Sequence, residues 1–369
     1  MKHKLISLLS FLLFSVTIFG QNEEIISQYF PYPKVDRRVE LLSIVFRVVG
    51  IPEYNDRVYS SYVNDIHEHF DKFKEHEIFS YIRKLRKEHN IGYDAVMSMA
   101  IHIEQPPLLA PIFEFSSSID QRWNSETAFE FLELLQRFYK ESDCESFFQE
   151  HENLYKVAEK RFENIYNNIN ISWYEDFYGV KPKGDKYLTI ISIGNGGFNY
   201  GARITFPNGN TEKYSIIGTS KIDSINLPIY DIESLLPTYI HEFQHSFINP
   251  LTKKHEVEFE NSCKKLYEIV EWCMKRQAYA TWQTMLNESL VRASVIRYLI
   301  KYSTTEQAEM QLKEDFGRNF FWIKELVDII GIYESNRTEY PTFESYMPVI
   351  QEFFHNIAIE TEKSLKLKI

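Results

Sequence analysis

The chain has 369 residues, of which 52 are acidic and 41 basic, so its formal net charge is −11 at pH 7. Lysine and arginine are interspersed with carboxylates throughout, which leaves no basic face for nucleic acid or an anionic membrane, and neither is an expected partner. Three cysteines exclude a fold built on disulfides, and a content of 44% apolar residues argues against a disordered chain.

The first 20 residues are predicted to be a secretory signal peptide. Two lysines precede the apolar run of residues 5–19, and Gly20-Gln21 offers a cleavage site. That run is short for a spanning helix, and no later segment approaches the roughly 18 to 20 uncharged residues that a bilayer requires. We therefore expect an exported chain, periplasmic or extracellular, with no membrane span after cleavage. An uncleaved N-terminal anchor is the open alternative.

Residues 21–182 are predicted to form a helical N-terminal region. Apolar side chains recur at three- and four-residue spacing, for example in residues 39–49 and 129–139. This is the period of an amphipathic α-helix.

A small β-sheet is predicted to follow. Residues 187–193 form a β-branched run, and two further short runs, 202–206 and 214–217, flank a Pro-Asn-Gly-Asn turn typical of a hairpin. The glycine-rich stretch before the hairpin, with residues 198–203, could pair with an extended peptide substrate or could serve only as a turn.

The expected architecture is α+β and predominantly helical, with the small sheet before a motif-bearing helix. Residues 183–369 are expected to form a zincin-like catalytic region made of the sheet, that helix and the C-terminal helices. Together with residues 21–182 they are expected to pack as one compact unit, because no linker rich in proline, glycine or serine separates them.

His241, Glu242 and His245 form an H-E-x-x-H motif. Residues four apart on a helix share a face, so both imidazoles can reach one Zn²⁺ while Glu242 addresses a water on that ion. Pro237 suits a first helical turn and Asn249-Pro250 a stop, which predicts a short helix ending just after His245. The alternative interpretation is two core histidines beside an ion-paired glutamate.

Catalytic zinc usually has three protein ligands and a water, so a third ligand must lie elsewhere. The position at which a metzincin carries histidine is Leu251, which excludes that family. His255 is a candidate, but two neighbouring lysines favour a solvated turn. Glu288 is the better candidate, because it is a lone carboxylate in the apolar helical stretch 285–297. Other acids within reach in the sequence are Glu256, Glu258, Glu260, Glu268 and Glu271.

Arg292 lies four residues after Glu288 on the same helix face. It could hold Glu288 by a charge-assisted bond, line the cleft for a substrate carboxylate, or form an ordinary exposed pair. With zinc on His241, His245 and Glu288, Glu242 is expected to be the general base of amide hydrolysis. Candidates for a second oxyanion donor, without an assigned role, are Tyr333, Arg337 and Tyr340.

H-E-x-x-H followed by a helix-borne Asn287-Glu288 resembles the gluzincin metallopeptidases. More closely, the chain is similar to an exported bacterial domain-of-unknown-function family of zincin-like proteins, number 4932. The matching pieces are residues 39–46 with Glu53-Tyr54, residues 241–250, Asn287-Glu288 with Arg292, and residues 333–337 with Tyr340-Pro341. The resemblance implies a peptidase-like zinc fold and supplies no substrate.

The residues favour an exported zinc metallopeptidase that acts on a peptide or protein substrate. The alternative is a zincin-fold protein that binds a peptide or glycan, with a structural or vestigial zinc site and no turnover. A binding protein has no chemical need for Glu242, which is why the enzyme is preferred. A purely structural helical protein would bind no metal.

Overall fold

The computed structural model describes residues 29–115, 119–180 and 185–366. The predicted signal peptide, residues 1–20, lies outside these ranges. The chain divides into two compact units, one within residues 1–166 and 183–229, the other within residues 167–182 and 230–369. In the described ranges no helix is long and apolar enough to cross a membrane.

The first unit combines helices with the small sheet. Its helices are α1 Arg37–Val48, α2 Ser60–Phe70, α3 Glu77–His89, α4 Asp94–Ile101, α5 Ser125–Glu141, α6 Cys144–Glu150 and α7 Glu152–Tyr166. Local capping explains where two of them begin: the Asp36 carboxylate accepts the Arg38 N–H at the start of α1, and Asn124 and Thr127 form a capping box at the start of α5. The helical periodicity predicted in residues 39–49 and 129–139 is confirmed by α1 and α5.

The sheet has four strands in the described residues. They are β1 Lys34–Val35, β2 Lys186–Ser192, β3 Tyr200–Thr205 and β4 Thr211–Gly218, in the order β1-β2-β4-β3. β2 pairs in parallel with β1 and β4, and β3 pairs antiparallel with β4, which confirms the predicted hairpin. The sheet was predicted to lie in one region with the motif helix, whereas its contacts group it with the helices of the first unit.

Glu40 joins α1 to the end of β2. Its side chain is fully buried, and Oε1 accepts the Ile193 N–H at 2.7 Å and the Ser192 hydroxyl at 3.0 Å. Oε2 accepts the Tyr62 hydroxyl at 2.9 Å and the Gly194 N–H at 3.0 Å. A buried carboxylate is tolerated when donors surround it in this way, so Glu40 fixes the loop after β2 to the helical part of this unit.

The second unit is helical in its described residues. Its helices are α8 Ser172–Tyr178, α9 Ile232–Lys254, α10 Glu256–Lys275, α11 Trp282–Tyr302, α12 Thr305–Gly317, α13 Ile323–Ser335 and α14 Met347–Lys366. Helix α11 is central, because it contacts α9, α10, α12 and α13, and 14 of its 21 residues are buried. A helix buried on nearly all sides is expected to be apolar, so the charged Glu288 and Arg292 within it require partners.

Candidate metal centre

Helix α9 carries His241, Glu242 and His245. The prediction that it ends just after His245 is wrong, since the helix runs from Ile232 to Lys254 with Pro237 and Pro250 inside it. An internal proline costs a helix about 3 kcal/mol. Buried apolar residues on both sides of the motif outweigh that cost, and beyond Pro250 the Thr252 hydroxyl donates to Asn287 Oδ1 on α11.

Aromatic residues of α8 hold α9 from one side. The Tyr178 ring stacks on Phe247 with 4.2 Å between centroids and 3° between planes, and its hydroxyl donates to Gln244 Oε1. The Tyr174 hydroxyl donates to the Ile240 carbonyl at 3.2 Å. These contacts are made at Ile240, Gln244 and Phe247, close in the sequence to the motif histidines, so packing against α8 helps to fix this part of α9.

The two histidine rings meet on one face of α9. Their Nε2 atoms lie 3.1 Å apart, and the ring centroids are 4.8 Å apart in an edge-to-face arrangement. Nδ1 of His245 lies 3.3 Å from the Asn249 side-chain oxygen, which leaves its Nε2 facing His241. From the sequence, Asn249 was expected only to mark the end of the helix.

Glu288 reaches the same point from α11. Its Oε1 lies 3.4 Å from Nε2 of His245, and its Oε2 lies 3.7 Å from Nε2 of His241. Ligand atoms of the three residues all lie within 4.8 Å of one another, and in the described ranges no other group of histidine, cysteine, aspartate and glutamate does so. The structure therefore brings together His241, His245 and Glu288, the three residues predicted from the sequence to be metal ligands.

These distances fit a tetrahedral zinc ion. Zinc bonds of about 2.0 to 2.2 Å place neighbouring ligand atoms roughly 3.3 Å apart, and the observed separations of 3.1, 3.4 and 3.7 Å bracket that value. Oε2 of Glu288 is buried and accepts no hydrogen bond of regular geometry, although Arg292 Nη2 lies 3.1 Å from it. Two imidazole nitrogens and a carboxylate at these separations are a donor set that fits a zinc ion.

The electrostatics favour neutral imidazole beside an ionised carboxylate. Burial, only partly opposed by Glu288, lowers the pKa of His241 to about 3, so this ring is neutral at neutral pH. Burial alone would raise the pKa of Glu288, but its charged neighbours, including Arg292 at 3.1 Å, outweigh it and hold that pKa well below its usual range. Neutral imidazole and ionised carboxylate are the forms that bind zinc.

His255 lies away from this group. It follows the last residue of α9, with Nδ1 3.9 Å from Glu258 and Nε2 3.7 Å from Glu344. The oxyanion candidates are also engaged elsewhere: Tyr333 donates to the Phe177 carbonyl, and Arg337 donates to the Pro341 carbonyl at 2.7 Å.

A pocket of about 230 Å³ opens beside His241. One wall is a face of α9, another is a face of α12, and α11 lies between them. The lining residues are Ser234, Pro237, Thr238, His241, Glu242, Arg292, Val295, Gln311, Glu314 and Arg318. Glu242 is buried to more than nine-tenths and lines this pocket with His241, so the expected general base and one of the candidate metal ligands share a cavity.

Arg292 does not form an exposed ion pair with Glu288, which was one of the three roles expected for it. Its side chain is only 8% exposed, its Nη2 lies 3.1 Å from Glu288 Oε2, and its Nη1 lies 2.5 Å from Asp315 Oδ1. This network includes three residues that were not identified from the sequence: Asp315, Gln311 and Tyr279. The sequence did contain a sign of this network, because one face of α12 carries four polar residues, Gln311, Glu314, Asp315 and Arg318. A polar helix face is normally exposed to solvent, so the pattern did not indicate a buried network.

A family model described as Domain of unknown function (DUF4932) matches residues 33–352. The chain belongs to this family. The match covers the motif on α9 and the Glu288 segment of α11, and it confirms the resemblance to the family numbered 4932. No curated protein and no solved structure matches the chain. For this member of the family, function must therefore be argued from the site itself.

Proposed function

We propose that this protein is an exported zinc metallopeptidase with a zincin-like fold of the gluzincin type. One observation carries the proposal: His241, His245 and Glu288 converge from two helices, and His241 lines a pocket that Glu242 also lines. Two histidines, a carboxylate and an adjacent general base are the set of groups that zinc-dependent amide hydrolysis requires.

His241, His245 and Glu288 would hold the zinc ion. When bound, zinc supplies a Lewis acid that polarises the scissile carbonyl and lowers the pKa of water. Glu242 would take a proton from the attacking water as the new C–O bond forms. It would then deliver that proton to the amide nitrogen as the C–N bond breaks, so that water is divided between a carboxylic acid and an amine.

The shape of the pocket supports a peptide or protein substrate. At about 230 Å³ it admits a short part of a chain and not a large ligand, and polar groups dominate its walls. Arg292 is buried and paired with Glu288 and Asp315, whereas Arg318, which is paired with Glu314 at 2.7 Å, is the more exposed guanidinium of the lining. Polar or acidic substrate groups therefore suit these walls better than large apolar side chains.

The deciding experiment uses the purified full-length protein, Glu242→Gln and a control, Glu233→Gln. Glu233 is an exposed acid on the same helix that does not line the pocket. We expect about one zinc per chain by mass spectrometry in all three proteins. Cleavage of a peptide library should fall at least 100-fold in Glu242→Gln and stay unchanged in Glu233→Gln.

Two outcomes would contradict the proposal. Zinc bound without cleavage of any peptide by the unmodified protein would favour the binding protein with a structural zinc site. No zinc in the unmodified protein would remove the chemical basis of hydrolysis at this pocket.

A further inference from the structure

Arg292 is the most constrained charged side chain beside the candidate metal centre. Its Nη1 lies 2.5 Å from Asp315 Oδ1, and its Nη2 donates to the Tyr279 hydroxyl at 2.8 Å. The guanidinium carbon also lies 5.1 Å from the centre of the Phe320 ring. Partners on several sides leave this guanidinium little freedom to rotate.

Asp315 forms an ion pair with Arg292. None of its hydrogen bonds or ion pairs is with His241 or His245. It is fully buried, and its second oxygen accepts the Gln311 amide at 3.1 Å. A buried carboxylate without a cation is costly, so the Arg292–Asp315 pair accounts for the presence of an acid at this position of α12.

Glu288 lies close to the other terminal nitrogen of Arg292. Its Oε2 is 3.1 Å from Arg292 Nη2, and its two oxygens face Nε2 of His241 and of His245 at 3.7 and 3.4 Å. Arg292 is thus the link between a buried acid on α12 and the carboxylate that faces the histidines. If Arg292 were absent, Glu288 and Asp315 would be two buried acids without their shared cation.

We propose that Arg292, fixed by Asp315 and Tyr279, is a positioning residue that holds the Glu288 carboxylate towards His241 and His245 and so presets the metal site. The inference rests on the metal-binding part of the proposed function and does not depend on turnover. The planar fork of arginine is essential to it, because one group must reach Asp315 and Glu288 at the same time. Lysine offers a single point charge and cannot reproduce that geometry.

Helix α11 also provides a matched control. Arg297 lies on the same helix and is ion-paired with Glu334 of α13, and its Nε lies 2.5 Å from Glu334 Oε2. This pair joins two helices as the Arg292–Asp315 pair does, but it touches none of the candidate metal ligands. Any loss common to Arg292 and Arg297 variants therefore reports helix packing, and any difference reports the metal site.

The test measures Zn²⁺ affinity by chelator competition in the full chain and in Arg292→Met, Arg292→Lys, Asp315→Asn and Arg297→Met. Residues that orient a metal ligand without binding the metal themselves typically contribute about 10- to 100-fold to the affinity for the metal. We expect a loss of that size in Arg292→Met, incomplete recovery in Arg292→Lys, and a smaller loss in Asp315→Asn. Arg297→Met should lower the unfolding temperature and keep its affinity for zinc within about twofold.

A second readout is the visible absorption of the Co²⁺-loaded proteins, which reports the arrangement of the ligands. The spectrum should change in Arg292→Met and remain that of the unmodified protein in Arg297→Met. If Arg292→Met does not fold, Arg292→Lys and Asp315→Asn carry the same comparison.

Unchanged zinc affinity in the Arg292 variants, or complete recovery with lysine, would overturn the positioning role while leaving zinc binding by the unmodified protein intact. Failure of the unmodified protein to bind zinc would overturn this inference together with the proposed function. The two failures are therefore distinguishable.

Discussion

Oε1 of Glu288 lies 3.4 Å from Nε2 of His245, although the two residues belong to different helices. The contact depends on how α9 and α11 are aligned, and a hydrogen bond from the Thr252 hydroxyl to Asn287 Oδ1 fixes that alignment one residue before Glu288. The relative positions of the metal ligands therefore depend on the packing of α9 against α11.

The first prediction concerns the third ligand. Glu288→Ala should reduce bound zinc from about one per chain to a trace, because two histidines rarely hold catalytic zinc alone. His255→Ala should keep the zinc, since His255 lies beside Glu258 and Glu344 and not beside the motif. Metal content by mass spectrometry separates the two variants. The assignment of Glu288 is wrong if His255→Ala is the variant that loses the metal.

The second prediction concerns the aromatic support of α9. Tyr178→Phe keeps the stacking on Phe247 but removes the donor to Gln244 Oε1 inside the motif. Leaving a buried acceptor without its donor costs about 1 to 3 kcal/mol, so the free energy of unfolding in urea should fall by that amount. Tyr302→Phe, on an exposed ring, should change it by less than about 0.5 kcal/mol. Equal effects in the two variants would show that the Tyr178 hydroxyl is unimportant.

The third prediction concerns the buried acid of the first unit. Four donors point at the Glu40 carboxylate, from Tyr62, Ser192, Ile193 and Gly194. Glu40→Gln should lower the free energy of unfolding by about 1 to 3 kcal/mol, because the glutamine NH₂ would face donors in place of an acceptor.

The control for Glu40 is Glu68→Gln, on the exposed surface of α2. It should change the free energy of unfolding by less than about 0.5 kcal/mol. Urea unfolding of both variants tests the prediction, and a Glu40→Gln protein as stable as Glu68→Gln would contradict it.

Local patterns in the sequence were sufficient to predict much of the secondary structure. The apolar periodicity of residues 39–49 and 129–139 predicted helices that the structure contains, and the turn at 207–210 predicted the β3–β4 hairpin. The two-residue strand β1 was missed, since it is too short to show any alternation. Proline rules placed the end of α9 too early, because long-range packing outweighed a local preference.

In the candidate site, too, the sequence predicted some residues and not others. His241 and His245 follow from helix spacing alone, and Glu288 follows from a lone charge in an apolar stretch. Asp315 does not, because its role depends on the contact of α12 with α11, which no spacing within one helix encodes. The sequence could therefore suggest the ligands and could not predict the side chains that hold them in place.

The fourth prediction concerns pH and the metal-free protein. Burial lowers the pKa of His241 from 6.5 to about 3, so between these values the folded state keeps the ring neutral while the unfolded chain binds a proton there. Because the unfolded state binds more protons, stability falls as pH decreases through this window. Between pH 7 and pH 5 the contribution of His241 is at most about 2 kcal/mol.

Urea unfolding of chelator-treated protein at pH 7 and pH 5 measures this contribution, with His241→Gln and the exposed His355→Gln for comparison. His241→Gln should lose less stability on acidification than the unmodified protein, since it has no imidazole at this position to protonate on unfolding. His355→Gln should lose as much as the unmodified protein, because this change leaves the buried His241 imidazole in place. If His241→Gln and the unmodified protein lose the same stability, the imidazole already binds its proton in the folded state, and zinc would have to displace that proton to bind.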